Sequence, residues 1–361
     1  MSAVFEVAVV CAWLCLRFPV TGRIAFKTLR QSQRRRTEPA LSEVEGSVRP
    51  TRGLVPQRAF RRCRLTVYPL RVKLSVVLIT YNEEANLART LESVRPLVRD
   101  GQGEIIVVDS GSTDRTVEIA KSYGARVFVE AWKGYAAQKN SAIEKATGDW
   151  ILSLDADEEL DGQLQSAIAT ALENLERVEA LERKTDAHPF MMQDARTELA
   201  NCIDVKGEQP VAGVWIRRKN EFLGRWMRHG GFWPDPKLRL FRCGCGRFEE
   251  RAVHETVQVS GLTATLKQGA LLHYCYPTIS DYIDHMNRYS SLGAEMAVAE
   301  GRNEFSVINI AFRPLATFFY NYFFRLGFLD GREGLLQHLC HAVYVSWKYA
   351  KVWELTHSRK S

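Results

Sequence analysis

LSVVLITYNEE (residues 74–84) is the first of four short apolar runs that decide the fold of this chain. The other three are EIIVVDSGSTD (104–114), ARVFVE (125–130) and DWILSLDADEE (149–159), and a segment of helical character separates each run from the next. Short runs rich in Val and Ile are typical of strands that are buried on both faces. Their alternation with helices predicts an α/β fold with a parallel central sheet and helices on both faces.

Polar residues follow the apolar part of three of these runs. They are Thr80, Asp109 and the triplet Asp155-Ala156-Asp157. Ligands of open α/β sheets bind outside the carboxyl ends of the strands. We therefore expect these residues to meet at one edge of the sheet, where they could hold a polar ligand.

Asp155 and Asp157 are the strongest candidates for chemistry at this edge. Carboxylates one residue apart at a strand end can point at one ion, and Mg²⁺ or Mn²⁺ prefers carboxylate, phosphate and water oxygens. The alternative is a solvated acidic turn, because acidic residues are common at the start of a helix that follows a strand. The run WILSL brings both aspartates to the edge predicted for Thr80 and Asp109, which favours the metal site.

The blocks ITYNEE, VVDSGSTDRT, GYAAQKNSAI and LSLDADEEL resemble the nucleotide-diphospho-sugar half of family 2 glycosyltransferases. The chain is most similar to the lipopolysaccharide-core and related saccharide glucosyltransferases, from about Leu74 to about Trp353. This resemblance implies the GT-A fold, a Rossmann-like, mostly parallel sheet with helices on both faces. The blocks stand in the family's order and are specific for the family but not for the sugar.

The resemblance also implies roles on the nucleotide side. Thr80, Tyr81 and Glu83 would line the base and ribose pocket, and Asp109 would hold the base or the ribose. Carboxylates are good acceptors for base N–H and ribose hydroxyl groups, so these roles fit the chemistry. Lys139 would lie beside the nucleotide; the alternative is a solvated helix residue.

Three residues would surround a metal ion by the same resemblance. Asp157 would be the main ligand, and Asp155 would touch the ribose or the metal. His273 ends the apolar run ALLHYCY and would be a third ligand, because GT-A enzymes often place a metal-binding histidine late in the domain. The alternative for His273 is a core histidine with satisfied hydrogen bonds. Mg²⁺ or Mn²⁺ is the expected cofactor.

A catalytic base is the next requirement. An inverting transferase needs a carboxylate to take the proton of the acceptor hydroxyl as its oxygen attacks C1 of the sugar. Glu255, in VHE, stands where the resemblance places the base and is the first candidate; Asp235, in WPD, is the second. Arg239, in RLFR, is expected to face the diphosphate. Phe222 stands where the glutamine of the polymerases' QxxRW signature would be, which favours addition of a single sugar.

Charge and cysteine content exclude two other classes. Residues 1–73 carry 15 Lys/Arg and 4 Asp/Glu, which leaves 34 Lys/Arg and 38 Asp/Glu in residues 74–361. A nucleic-acid-binding protein should carry its basic patch on the folded domain, so no nucleic-acid partner is expected. The eight cysteines form no CxxC pair, and Cys243-Gly244-Cys245 alone is too little for a zinc site.

The chain is predicted to divide into an N-terminal extension, a catalytic domain and a C-terminal helical extension: 1–73, 74–279 (nucleotide half 74–160, acceptor half 161–279) and 280–361. The first of these is charged, punctuated by Pro and Gly and aperiodic, which predicts disorder. We expect the native protein to start near Val72; a membrane anchor built on the apolar run 7–16 is the alternative. Residues 182–210 are long and polar enough to predict a mobile insertion.

The C-terminal extension contains an apolar, aromatic run, 314–324, flanked by Arg313 and Arg325. It is shorter than the ~20 residues needed to cross a bilayer but suits a membrane interface. Residues 305–361 carry 7 Lys/Arg and 3 Asp/Glu, which favours an anionic leaflet. The expected location is therefore cytoplasmic, peripheral on the inner face of the plasma (inner) membrane. A helical pair packed on the domain or on a second subunit is the alternative.

The sequence thus predicts an inverting, metal-dependent glycosyltransferase that moves one sugar from a nucleotide-diphosphate donor to a lipopolysaccharide-core or other lipid-linked saccharide. UDP-glucose is the expected donor by resemblance only. Transfer to polyprenyl phosphate, an acceptor that needs no base, is an alternative. A nucleotidyltransferase and a non-catalytic sugar-nucleotide binder are the rivals from other classes. The first should carry a glycine-rich, basic loop early in the chain, whereas TYNEE follows the first strand here.

Overall fold

The computed structural model of the chain describes residues 72–184, 188–207, 209–249, 256–302 and 305–357. The strands are β1 Leu74–Thr80, β2 Gly103–Asp109, β3 Arg126–Val129, β4 Trp150–Leu154, β5 Glu158–Leu160, β6 Ile203–Val205, β7 Val211–Phe222, β8 Arg225–Trp226, β9 Asp235–Arg242, β10 Gly246–Phe248, β11 Val257–Val259, β12 Leu262–Leu266 and β13 Leu271–Tyr276. The α-helices are α1 Leu87–Val98, α2 Thr116–Ser122, α3 Tyr135–Glu144, α4 Gly162–Glu182, α5 Pro189–Cys202, α6 Ile279–Ala299, α7 Arg313–Phe319 and α8 Gly331–His357. Short π- or 3₁₀-helical turns lie at Arg99–Gly101, Ile308–Phe312, Tyr320–Phe324 and Gly327–Asp330. The predicted N-terminal extension up to residue 71 and the candidate base Glu255 lie outside the described residues.

The first half of the domain is the predicted α/β unit. β3, β2, β1 and β4 are neighbours in that order, and each pair is parallel. Thr80 at the end of β1 pairs in register with Asp109 at the end of β2. The α/β class and the parallel sheet with covering helices are therefore confirmed, and the polar strand ends align at one edge.

β1 shows why this sheet requires apolar strands. Val76 and Leu78 belong to the larger core cluster, together with residues of α1 and α4. Val77 points to the opposite face and belongs to a second cluster with Ala142 of α3. All three β1 side chains are at most 1% exposed. A strand that enters two cores has to be apolar along its whole length, as LSVVLIT is.

The second half extends the sheet with antiparallel strands. β9 pairs antiparallel with both β4 and β7. β13 runs parallel to β7 and antiparallel to β5. The last pairing places His273 opposite Glu158, the residue that follows the aspartate triplet. Main-chain hydrogen bonds therefore bring the acceptor half to the end of β4.

The predicted mobile insertion at 182–210 is wrong for most of its length, because it contains the helix α5. This helix packs on α4, and Ala195 and Leu199 enter the main core at 0% and 8% exposure. Their spacing of four residues places them on one helical face. Arg177 of α4 also pairs with Asp194 of α5 at 3.0 Å. Residues 185–187 and 208 lie outside the described residues.

The C-terminal extension is helical, as predicted. α6 begins at a capping box, in which Thr278 and Asp281 each accept a hydrogen bond from the other's amide. α6 is joined to α8 through Lys351, whose ammonium donates to the Asn287 carbonyl at 2.8 Å. In the described part of the chain, no helix combines the length and apolar character that crossing a membrane requires.

Candidate active site

The nucleotide-side edge is organised around Asp109. Its carboxylate is fully buried and accepts hydrogen bonds from the Thr80 hydroxyl at 2.9 Å, from the amides of Gly111 and Ser112 at 3.0 and 2.8 Å, and from the Ser112 hydroxyl. Bonds to a charged acceptor are among the strongest in proteins. Asp109 therefore fixes the loop after β2 against the end of β1. Its predicted role, to hold the base or the ribose, stays a prediction.

The loops after β1 and β2 are also joined to each other. Asn82 has a left-handed φ of 56°, which asparagine tolerates better than most residues. Its backbone N–H donates to the Ser112 hydroxyl at 2.8 Å, and its side-chain oxygen accepts from the Thr113 backbone N–H at 2.9 Å. Beside this joint Tyr81 is 60% exposed. An exposed aromatic ring thus lies at the predicted ligand edge.

Ser110 is a candidate residue that sequence analysis missed. Its hydroxyl oxygen is buried and has no hydrogen-bond partner among the described residues. Buried polar groups in native proteins are nearly always paired, so an unpaired one at a ligand edge indicates a site for a polar ligand atom. The available signal was its position directly after Asp109 at the end of β2.

Glu83 links this edge to the aspartate triplet. Burial raises the pKa of Glu83, a hydrogen bond from Asn86 opposes this, and the negative charges of Asp157 and Asp155 raise the pKa further. Such an influence requires the carboxylates to be near one another. β1 and β4 pair in parallel, with Leu78 opposite Leu154, so the end of β1 and the turn after β4 meet at the same edge.

Asp155 is paired with two cations. The Lys139 ammonium lies 2.8 Å from Oδ1, and the Arg239 guanidinium contacts Oδ2. Burial acts to raise the pKa of Asp155, but these cations hold it well below its usual value. Lys139 is 9% exposed, so the alternative of a solvated helix residue is wrong. Arg239 also pairs with Glu158 at 2.6 Å, and its predicted contact with the diphosphate stays a prediction.

Asp157 faces His273 across the junction of β5 and β13. Nε2 of His273 lies 3.2 Å from Asp157 Oδ2, and Nδ1 lies 2.7 Å from the side-chain oxygen of Asn220. Burial acts to lower the pKa of His273, but the Asp157 carboxylate outweighs this and raises it to about 10. The structure thus brings together two of the three side chains predicted to hold a metal.

Glu158 and Arg218 continue the ion pairs toward Asp235. Glu158 is fully buried and lies 3.1 Å from the Arg218 guanidinium. Arg218 donates to Asp235 Oδ2 at 2.7 and 3.1 Å, and Lys237 lies 3.0 Å from Oδ1. Burial acts to raise the pKa of Asp235, but the two cations lower it. A continuous chain of ion pairs therefore connects Asp155 with Asp235.

The motif-bearing half of the chain matches a known family. The model of Glycosyl transferase family 2 matches residues 75–184. Uncharacterized glycosyltransferase RT0209 of Rickettsia typhi is 30% identical over 295 residues, which is 79% of this chain and 88% of that protein. The chain belongs to glycosyl transferase family 2. This glycosyltransferase is also 28% identical over 296 residues, 79% of its own length and 93% of the other's, to the lipopolysaccharide core biosynthesis glycosyltransferase LpsC of Rhizobium meliloti.

Two solved structures are also similar to this glycosyltransferase. Glucosyl-3-phosphoglycerate synthase from Mycobacterium tuberculosis, in complex with Mn²⁺, UDP and glucosyl-3-phosphoglycerate, is 32% identical with a TM-score of 0.25. That alignment covers 29% of this chain and 39% of the other. TarS (residues 1–349) of S. aureus, in complex with UDP-GlcNAc, is 14% identical with a TM-score of 0.40, over 80% of this chain and 92% of the other.

The predicted three-residue metal site of this glycosyltransferase is assembled only in part. Across the described ranges, no group of three or more His, Cys, Asp or Glu side chains is placed to hold a metal ion. Asp155 is engaged by Lys139 and an arginine. Asp157, whose side chain is 29% exposed, and His273 supply a carboxylate and an imidazole. This pair fits a divalent ion that takes its other ligands from phosphate oxygens and water.

Two further residues of this glycosyltransferase's site escaped sequence analysis, Glu158 and Arg218. From the sequence, the acidic residues after the triplet are interpreted as solvated charges at the start of a helix. In the structure, Glu158 lies in β5 and is fully buried. Arg218 lies in β7, VAGVWIRRKNEF, whose first half is apolar and whose second half is mostly charged. A charged residue in such a strand is rarely buried without a partner, which was the available signal.

Proposed function

We propose that this glycosyltransferase moves a single sugar, with inversion at C1, from a nucleotide-diphosphate donor to a lipopolysaccharide-core or other lipid-linked saccharide. One observation carries the proposal: the ends of β1, β2 and β4 meet at one edge, and ion pairs connect Asp155 at that edge with Asp235. The donor would lie at the β1–β2 edge and the acceptor beside Asp235. The name of LpsC supports a lipopolysaccharide-core acceptor. UDP-glucose is the first donor to test.

The nucleotide would bind at the edge that Asp109 organises. Thr80 and Asp109 would act indirectly, by holding the loop after β2 in place. Tyr81 would offer its exposed ring to the base, since aromatic rings stack with each other's faces. Glu83 and the unpaired hydroxyl of Ser110 would bond to base or ribose groups. This division of roles follows from which polar atoms are already paired within the protein.

Asp157 and His273 would hold Mg²⁺ or Mn²⁺. The bound ion would neutralise the charge that develops on the leaving diphosphate. Lys139 and Arg239 keep Asp155 ionised, and they would add positive charge on the same side of the site. Electrostatic stabilisation of the diphosphate would therefore come from fixed groups that need no rearrangement.

Asp235 is the candidate base within the described residues, and Glu255 remains the other candidate. The carboxylate would take the hydroxyl proton as the acceptor oxygen bonds to C1 and the C1–O bond to the diphosphate breaks, with its electron pair leaving on the diphosphate. Arg218 and Lys237 keep Asp235 ionised at neutral pH. The lowered pKa suits late proton transfer, when bonding to C1 has already made the hydroxyl strongly acidic.

A base-free reaction is the second candidate, and the pairing of Asp235 favours it. Both carboxylate oxygens are engaged by cations, which weakens the carboxylate as a base. Polyprenyl phosphate would attack as an anion, with no proton to remove. Asp235→Asn separates the two reactions. Turnover should fall by about 10²–10⁴-fold if a base is needed, and should stay near the wild-type value if the acceptor is a phosphate.

The C-terminal extension would bind the inner face of the membrane. Five exposed apolar side chains repeat at the spacing of one helical face, and together they form what is named here the apolar stripe: Ile308, Phe312, Leu315, Phe319 and Phe323, which are 45–60% exposed. Arg313 and Arg325 flank most of the stripe. Apolar rings bordered by arginines suit the headgroup region of an anionic leaflet.

Vesicle sedimentation tests the membrane assignment. Wild-type protein should sediment with phosphatidylglycerol vesicles and much less with phosphatidylcholine vesicles, because the arginines need an anionic surface. The double change Phe312→Asp and Phe319→Asp should abolish sedimentation without lowering the thermal midpoint, since both rings are exposed. Sedimentation of this variant at the wild-type level would contradict the assignment.

A panel of nucleotide sugars tests the donor and the metal together. UDP-glucose should raise the thermal midpoint of the full chain in MnCl₂ and much less in EDTA, because ligands that bind only the native state stabilise it. Asp157→Ala should remove the metal-dependent part of the shift. Asp194→Ala, an exposed carboxylate on α5, is the control and should keep it. A chain that no nucleotide sugar stabilises, with or without metal, would contradict the proposed function.

A further inference from the structure

The loop between β8 and β9, residues 227–234, is held by the C-terminal extension. Asp330 is 2% exposed, and its Oδ2 accepts from the amides of Arg228 and His229 at 3.0 and 2.8 Å. Its Oδ1 lies 2.9 Å from Nδ1 of His229. The next amide, of Gly230, donates to the Arg325 carbonyl at 2.9 Å. Three successive loop amides therefore have their acceptors about a hundred residues further along the chain.

Close packing reinforces these hydrogen bonds. Gly230 has a φ of 66°, and a Cβ atom there would lie 2.1 Å from the ring of His338 on α8. Gly327 leaves room for the same ring, since a Cβ at that position would lie 2.2 Å from its Nε2. The buried His338 also packs against the loop residue Phe232, with ring centroids 5.5 Å apart. The loop and the extension thus interlock with no space for added atoms.

The held loop leads directly to Asp235. Four residues separate Gly230 from this carboxylate. On the other side, Arg218 of β7 fixes the carboxylate from within the sheet. The candidate base is therefore held from two directions, by an arginine of the sheet and by a loop that Asp330 anchors.

We propose that Asp330 is a positioning residue for sugar transfer, because it fixes the loop that presents Asp235 to the acceptor. The role of Asp235 as a base rests on the proposed function. The anchoring of the loop by Asp330 is independent of that function. The donor edge is built from the ends of β1, β2 and β4, and the hydrogen bonds and ion pairs given above for it involve no residue of the loop. Loss of Asp330 therefore lowers turnover and leaves donor binding intact.

Asp330→Ala, Asp330→Asn and the control Asp281→Ala test the proposal. The Asp281 carboxylate accepts from the amide and the hydroxyl of Thr278 in the capping box of α6, so Asp281→Ala costs stability without touching the loop. Four quantities are measured on each full-length variant: the thermal midpoint, the Kd of UDP-glucose in MnCl₂, and kcat and KM for glucose transfer to lipopolysaccharide with a truncated core.

Asp330→Ala should lower kcat by roughly tenfold or more, since a small misplacement of a catalytic group is costly, while the Kd of UDP-glucose stays at the wild-type value. Asp330→Asn should recover part of kcat, because its amide oxygen can still accept from a loop amide. The control should keep the wild-type kcat despite a lower midpoint. Equal losses of kcat in Asp330→Ala and Asp281→Ala, or loss of UDP-glucose binding in Asp330→Ala alone, would overturn the positioning role.

Hydrogen exchange tests whether Asp330 anchors the loop, independently of enzyme activity. The amides of Arg228, His229 and Gly230 should be protected in the wild type and should exchange at least about tenfold faster in Asp330→Ala. Trypsin should then cut after Arg228, whose side chain is exposed. Unchanged exchange would overturn the proposal. If the wild type transfers no sugar from any nucleotide-sugar donor, the proposed function fails, and hydrogen exchange still shows whether Asp330 anchors the loop.

Discussion

The two halves of the catalytic domain position their functional side chains in different ways. In the nucleotide half, sheet register does most of the positioning, since Thr80 and Asp109 are adjacent because β1 and β2 pair in parallel. In the acceptor half, Asp235 depends on Arg218 of another strand and on an anchor in the C-terminal extension. Sheet topology thus suffices to bring Thr80 and Asp109 together, whereas Asp235 needs long-range contacts made by the side chains of Arg218 and Asp330.

The largest effect is expected where the halves meet. Arg239→Met removes the guanidinium that pairs with both Asp155 and the fully buried Glu158. Breaking a buried ion pair from one side costs about 3–5 kcal/mol of unfolding free energy, measured by urea denaturation. Arg196→Ala, which removes an exposed pair with Glu182, is the control and should leave the midpoint unchanged. Equal effects of the two changes would show that the ion pairs do not join the halves.

Asp109→Ala removes hydrogen bonds within the nucleotide half only. It leaves the amides of Gly111 and Ser112 without their acceptor, which should cost about 2–3 kcal/mol. The loop is then released, so the Kd of UDP-glucose should rise as well. Thr80→Val removes one of the bonds to Asp109 and should cost less, about 1 kcal/mol. Weaker binding with unchanged stability would show instead that Asp109 contacts the nucleotide itself.

The next effect has a pH signature and also concerns the nucleotide half. Burial acts to raise the pKa of Glu104, but hydrogen bonds from Thr147, Ser75 and Arg126 lower it to about 2. Because this folded-state pKa lies below the ordinary value of 4.5, the ionised carboxylate stabilises the fold above pH 4.5, and this contribution is lost as the pH falls toward 2. Wild type should therefore exceed Glu104→Gln in unfolding free energy at neutral pH, and the difference should shrink on acidification. A difference that is independent of pH would contradict this assignment.

The smallest effect is expected at the start of α6. Thr278→Ala removes a cap from this helix and should cost about 1 kcal/mol, measured by urea denaturation. Thr278→Ser keeps the hydroxyl and should restore most of the loss. The Kd of UDP-glucose should not change in either variant, because the capped helix contributes nothing to the donor edge. Altered donor binding would show that the extension and the nucleotide half are coupled.

The same contrast decides how much could be predicted from the sequence. The nucleotide half was predictable because apolar runs and polar strand ends are local patterns, and parallel pairing converts them into neighbours. The ion pairs were not predictable, since Arg218 and Glu158 are 60 residues apart and no local pattern relates them. Helix α5 was missed because only two of its 14 residues, Ala195 and Leu199, are buried, which leaves little periodic apolar signal.

The close packing between the loop 227–234 and residues 325–338 of the C-terminal extension limits how hybrid enzymes can be built. Loop exchange is an obvious way to change which acceptor is used, but a transplanted loop with any side chain at Gly230 would collide with His338. A loop with a different backbone path would also leave Asp330 buried without its amide donors. Recombination should therefore move both segments together and cut the chain outside them, so that donor preference and acceptor preference can be inherited from different parents.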